Sequence, residues 1–203
     1  MERTPAHALA PIIVALVIVA VTYFGIGYLG LATMVVISGS AVLAYFVWLA
    51  TAWRRPIDPS VVQPTYFVLI AMELIHMAEE QITNFPGSLR RIFDIPPTFN
   101  LLAHAVLLMG FVNALAVLAG VGLKSRHEMI RLIASFVVWF YVIGPGLVNA
   151  VAHVTFPFIA HEVYFSGIVT VILPTVAGVA TLLRLVESDR RGERRQYAGA
   201  TSN

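Results

Sequence analysis

Six apolar stretches, each long enough to cross a bilayer, run through a chain of 203 residues. They fall at roughly 8–28, 32–53, 65–84, 98–123, 129–156 and 162–184. A helix needs about 20 apolar residues to span the hydrocarbon layer. No water is available there to satisfy backbone groups, so open strands are excluded. Charged residues make up 12% of the chain, half of the ~25% usual in soluble domains, and the mean hydropathy is +0.83. The expected fold is therefore all-α: a polytopic transmembrane bundle of about six spans. Residues 1–190 are expected to form one membrane domain and 191–203 a polar, basic cytoplasmic tail. The first stretch resembles a signal peptide only in part, because Tyr23 and Phe24 extend it and no small-residue cleavage site follows. It is expected to be a retained span.

Basic residues test this layout. With a cytoplasmic N-terminus, that side receives Arg3, Arg54, Arg55, Lys124, Arg126, Arg131, Arg184, Arg190, Arg191, Arg194 and Arg195, and the other only Arg90 and Arg91. Such a bias puts both termini in the cytoplasm of a bacterial-type inner or plasma membrane. It also accounts for the pI of about 9.2 without any nucleic-acid partner. The chain has no cysteine, which excludes disulfides, thiolate zinc sites and cysteine nucleophiles.

Punctuation divides the spans. Gly25, Gly27 and Gly30 mark a turn between the first two, and Trp53 beside Arg54 anchors the end of the second at the interface. Pro56, Pro59 and Pro64 break the connection to the third span, and Pro86-Gly87 and Pro96-Pro97 bracket the next loop. Gly144-Pro145-Gly146 should kink or unwind the fifth span, and Pro157 should end it.

The third span carries Glu73, His76, Glu79 and Glu80. Taking His76 as zero, Glu80 falls at about +40°, Glu79 at about −60° and Glu73 at about +60°. Each buried acid costs about 2.5–3.5 kcal/mol, against a gain of about 0.3–0.6 for a Leu or Phe. Three acids with no basic partner in the spans must be protonated, hydrated or bound to a cation. Topology brings Asn100 and His104, Asn149 and His153, and His161, Glu162 and Tyr164 to a similar depth in the outer half of the bilayer. His76 and Glu80, four residues apart, can chelate one divalent ion, with His104, His153 and His161 completing the ligands. Zinc is favoured and iron is the alternative, since Glu73-x-x-His76 has the spacing of di-iron helices. Glu79 is expected to act as general base, with Glu73 as a second catalytic acid. Asn100, Asn149 and Tyr164 are expected to hold the ligands by hydrogen bonds. The bland reading of any one of these histidines is a helix–helix contact. Glu162 and His161 have the further bland reading of capping the sixth helix. Asn113 reads as interhelical glue, and His7 and His127 as solvated or headgroup contacts.

These residues resemble the HXXEE-motif integral membrane proteins. The naming motif stands as His76-Met77-Ala78-Glu79-Glu80, the family's N-x-x-x-H as Asn149 to His153, and its Y-x-P-G as Tyr164-Phe-Ser-Gly167, with serine in place of proline. The resemblance covers about 66–175 and implies a membrane protein with a catalytic or metal site, but no particular reaction.

The leading expectation is a membrane-embedded metalloenzyme, hydrolase-type, acting on a lipid or other hydrophobic substrate. The alternatives are a metal-free acid/base isomerase of a sterol- or isoprenoid-like substrate, a proton- or cation-coupled carrier and, more weakly, a bis-histidine haem protein.

Overall fold

The structure, a computed structural model, describes residues 4–200, excepting the side chains of 195–200. Among the described residues every regular element is helical, and five helices are long and apolar enough to cross a membrane. They are α1 (Pro5–Leu29), α2 (Leu31–Ala50), α3 (Pro59–Ile82), α5 (Leu101–Gly122) and α6 (Glu128–Ala160). A short helix, α4 (Phe85–Arg90), sits between α3 and α5, and α7 (Ile172–Ala200) closes the chain. Large apolar side chains such as Leu16, Val19, Phe24 and Phe46 are more than half exposed on the outer flanks, as a lipid-facing belt requires.

The punctuation reads differently in detail. Only Gly30, at φ +83°, breaks α1 from α2; Gly25 and Gly27 lie inside α1. The third helix starts six residues before the expected boundary and takes in both prolines. Asp58 caps it by accepting from the Ser60 N–H at 3.1 Å, Pro59 opens the first turn, where no intrahelical donor is needed, and Pro64 lies inside. Pro157 is likewise inside α6, which continues to Ala160. Pro86 starts α4 rather than a loop. Gly144–Val148 is π-helical, so Gly144-Pro145-Gly146 loosens α6 without breaking it, and His104–Val112 in α5 is π-helical as well. Such bulges concentrate at functional sites.

The largest departure is in the last crossing. The expected helix over 162–184 begins only at Ile172, because residues 161–171 form turns. The segment is apolar without a helical period: Phe165 and Val171 are buried, whereas Val163 and Val169 are exposed. The tail expected from 191 continues α7 as far as Ala200, while Arg3 and the Arg195 side chain lie outside the described residues.

Polar contacts define two ends. At one, the His7 ring pairs with Glu128 at 3.0 Å, the Trp53 indole donates to the His7 carbonyl, Arg55 pairs with Asp189 at 2.9 Å, and the Asp58 N–H donates to Ser188. His7 is thus buried and paired, not solvated. At the other end Thr98 donates to the Tyr28 carbonyl and Arg91 grips Glu162 with two bonds of 3.0 and 2.9 Å. The basic connections and the C-terminal half of α7 share the first end with the start of α1.

Helix α7 lies along α3, α2 packs on α1 and on the first half of α6, and the inner half of α5 packs on α6. Gly146 in α6 meets Gly178 in α7 so closely that a Cβ on Gly178 would stand 2.8 Å from the Gly146 Cα. Buried Trp48 donates to Ser135 at 2.8 Å, Tyr66 to the Ala116 carbonyl at 3.1 Å, and Tyr141 to Asn113. Two apolar clusters result, one around Trp48, Tyr66 and Tyr141, the other around Phe85, Phe99 and Phe165. The acids of α3 lie between them.

Candidate metal centre

Helical spacing brings Glu73, His76 and Glu80 to the inward face of α3, where each is almost wholly buried. Glu80 is the hub. Its Oε2 lies 2.9 Å from His104 Nε2, and its Oε1 lies 2.9 Å from His153 Nε2 and 3.5 Å from His76 Nε2. The three rings come from α3, α5 and α6, and all are 0% exposed. Phe85 stacks over His153 at 5.4 Å between ring centres and over His104 at 5.8 Å, and Phe165 and Phe156 close the His153 side. This aromatic collar keeps water from reaching the group sideways.

Hydrogen bonds hold both ring nitrogens of His76. The Thr170 hydroxyl donates to Glu79 Oε2 at 2.5 Å, so its oxygen is left to accept from His76 Nδ1–H at 3.2 Å. His76 Nε2 lies 3.0 Å from the Asn149 side-chain amide and 3.5 Å from Glu80 Oε1. The His153 Nε2 near the same oxygen lacks hydrogen-bond geometry despite its 2.9 Å approach, and His153 Nδ1 has no partner either. A buried carboxylate crowded by ring nitrogens, with one ring left unsatisfied, is an arrangement a cation relieves.

The donor set suits a metal ion. Ligand atoms of His76, Glu80 and His153 all lie within 4.8 Å of one another. Donor atoms on one tetrahedral zinc at ~2.0–2.1 Å stand ~3.4 Å apart, so the widest pair would have to close by up to ~1.5 Å. Two imidazoles and a carboxylate leave a position open, as catalytic zinc sites do. His76 already has the outer hydrogen bond that orients metal-binding histidines.

Several expected roles change. His104 is not part of the three-residue group: it holds the far oxygen of Glu80 and is itself held by Gln81 at 3.0 Å. His161 is exposed, in left-handed backbone at the end of α6, and does not reach the site. Glu79 is not free to act as a base. It accepts from the Tyr164 hydroxyl at 2.8 Å, the Thr170 N–H at 2.8 Å, the Thr170 hydroxyl and the Val169 N–H at 3.4 Å. These bonds dock the 161–171 segment onto α3 and satisfy backbone that no helix satisfies. Tyr164 supports Glu79, not a ligand. Asn100 caps α5 by accepting from the Ala103 N–H at 3.0 Å. Asn149 does support a histidine, but it is His76 rather than His153 four residues on. Glu162 caps nothing; it pairs with Arg91. Asn113 is interhelical as expected, joining Tyr141 and the Met77 sulfur.

Sequence reasoning missed Thr170 and Gln81, and named Gly167 only as the end of the Y-x-P-G element. Gln81 follows Glu80 directly, and its spacing from His76 put it outside the arc of interest. Gly167 stands at φ +88° with its Cα against the site. A Cβ there would lie 2.6 Å from His153 Cε1, 2.8 Å from His76 Cε1 and 3.0 Å from Glu80 Cγ. Backbone thus closes one side of the group, and only glycine fits.

The other side opens on a cavity of about 130 Å³ between α2, α3, α5 and the π-helical turn of α6. Glu80, Asn149 and Glu73 reach its wall, whereas the three histidines lie behind it. Glu73 is 1% exposed and neither carboxyl oxygen has a hydrogen-bond partner. At seven residues from Glu80 it stands about 10 Å deeper along the helix. No family model, no curated protein and no solved structure matches the chain.

Proposed function

We propose that the chain is a membrane-embedded, metal-dependent enzyme of hydrolase type, acting on a lipid or other hydrophobic substrate. His76, Glu80 and His153 would hold one divalent ion, zinc before iron. The observation that carries this reading is the meeting of one carboxylate and two imidazoles from α3 and α6, buried within 4.8 Å of one another, with both ring nitrogens of His153 lacking a hydrogen-bond partner.

When bound, the ion would supply Lewis acidity, polarising a substrate oxygen or activating water. The chain's own residues do the rest. Asn149 lies between His76 and the cavity and can orient a substrate oxygen. His104, on the second oxygen of Glu80, is the nearest group able to carry a proton once Glu79 is committed to docking. The aromatic collar excludes bulk water, which strengthens every charge interaction inside it. The proposal extends to kinship with the HXXEE proteins, supported by the meeting of all three motif elements at one point. It also extends to cytoplasmic termini, supported by the gathering of the basic connections at one end.

Elemental analysis of protein purified without chelators tests the reading. About one zinc or iron per chain is expected, lost in Glu80→Gln and His153→Ala; below about 0.2 per chain the idea fails. A second reading, metal-free proton transfer across a substrate double bond, is favoured by the unpartnered Glu73 and predicts full activity in EDTA.

A further inference from the structure

The cavity has a composition that selects its occupant. Beyond Glu73 and Glu80 its walls are mostly apolar, with Val36 and Ile37 on α2, Met77 on α3, and Leu108 and Val112 on α5. No Lys, Arg or His lines it. Three buried oxygens on its wall have no hydrogen-bond partner: both oxygens of Glu73 and the Thr33 hydroxyl. A buried carboxyl without a partner is costly unless something donates to it. At about 130 Å³ the space is roughly ten times what one water needs. Five polar residues, Thr33, Ser40, Glu73, Glu80 and Asn149, line it, and the rest of the wall is apolar. The rim residues Ile37 and Leu108 are half-buried, and Val35 and Leu107 beside them face outward at 62% and 38% exposure. The cavity thus opens between α2 and α5, on the lipid-facing flank.

We propose that this cavity binds a long apolar molecule with a hydrogen-bond-donating head, an alcohol or an amine, drawn sideways from the bilayer with its head on Glu73. Two carboxyl groups and no cation on the wall leave a phosphate or carboxylate head without a counter-ion. Neighbouring Glu80 and Asn149 put the ligand's polar end within the same chamber as the proposed ion. The proposal rests on the metal-enzyme reading for what happens to the ligand, but binding itself needs no ion.

The test uses the full chain in lipid nanodiscs and a diazirine-bearing sixteen-carbon alcohol and amine as photoaffinity probes. Labelling is expected on α2 and α5, competed by hexadecanol and hexadecylamine at a concentration at least about tenfold below any effect of hexadecanoate or hexadecyl phosphate. Val36→Trp, which fills the cavity from its rim, should remove labelling while leaving the melting temperature near wild type. Glu73→Gln should weaken amine capture about tenfold or more. Amine capture undiminished by Glu73→Gln overturns the placing of the head on Glu73. Equal competition by the anionic lipids overturns the proposal, as does labelling that Val36→Trp leaves unchanged. Labelling is expected to persist after EDTA treatment, and its loss there overturns the claim that binding needs no ion. In protein purified without chelators, labelling with no bound metal sinks the metal reading alone, and bound metal without labelling sinks this one alone.

Discussion

Gly167→Ala puts the most weight on the geometry of the site. The residue sits at φ +88°, where an L side chain costs about 1–2 kcal/mol. The new methyl would also meet the His153 and His76 rings at 2.6 and 2.8 Å and Glu80 at 3.0 Å. None of these can swing away, since the rings are fully buried and His153 is boxed by Phe85, Phe156 and Phe165. Overpacking of this kind costs a further ~1–3 kcal/mol, for a total of about 2–5 kcal/mol. In a chain of this size that corresponds to a fall of about 4–20 °C in melting temperature. Intrinsic fluorescence of Trp48, Trp53 and Trp139 during heating reads it directly. Metal affinity should fall at least about tenfold as the two rings are pushed apart. Gly27→Ala is the control: its Cβ would meet nothing within 4 Å, and inside a helix alanine is neutral to favourable by up to ~1 kcal/mol. If Gly167→Ala melts with wild type and keeps its metal, the backbone does not close the site as described.

Glu79→Gln separates docking from catalysis. The amide loses charge-assisted bonds worth about 1–3 kcal/mol, so proteolysis within 161–171 should accelerate before any change at the centre, whereas a general base would leave proteolysis unchanged. Glu80→Gln should abolish stoichiometric metal binding while His161→Ala leaves it intact, both read by elemental analysis; loss of metal in His161→Ala would return that residue to the ligand set. Tyr141→Phe strands Asn113 in the core and should destabilise by about 1–3 kcal/mol in denaturant titration, with no effect on metal content.

The helical class, the five long helices and the face of α3 were legible because apolar length and a 100° period survive any packing arrangement. The convergence of His76, Glu80 and His153 was legible too, since topology sets depth. Rotation was not. Glu79 and Glu80 are adjacent in sequence and both point inward on a helical wheel, yet one meets α7's approach segment and the other meets α5 and α6. Nothing in the span itself names those neighbours. His161 shows the same limit: it ends α6 in left-handed backbone and is exposed, because the helix expected to open beside it does not form there. Thr170 and the part played by Gly167 were hidden for that reason. Their apolar surroundings mimic a span, while their backbone bonds go to a side chain on another helix.

The bonds between Glu79 and Thr170 also impose an order on synthesis. They join groups 91 residues apart in sequence, and at about 5–20 residues per second the acid waits roughly 5–20 s for its partner. His104 and His153 join His76 well before Gly167, the glycine that seals their flank, which comes only three residues ahead of Thr170. The last segment to be made is thus the stopper of the cup. Loading the cup before it is stoppered is the least obstructed route for an ion to reach a site that the finished protein walls with aromatic rings.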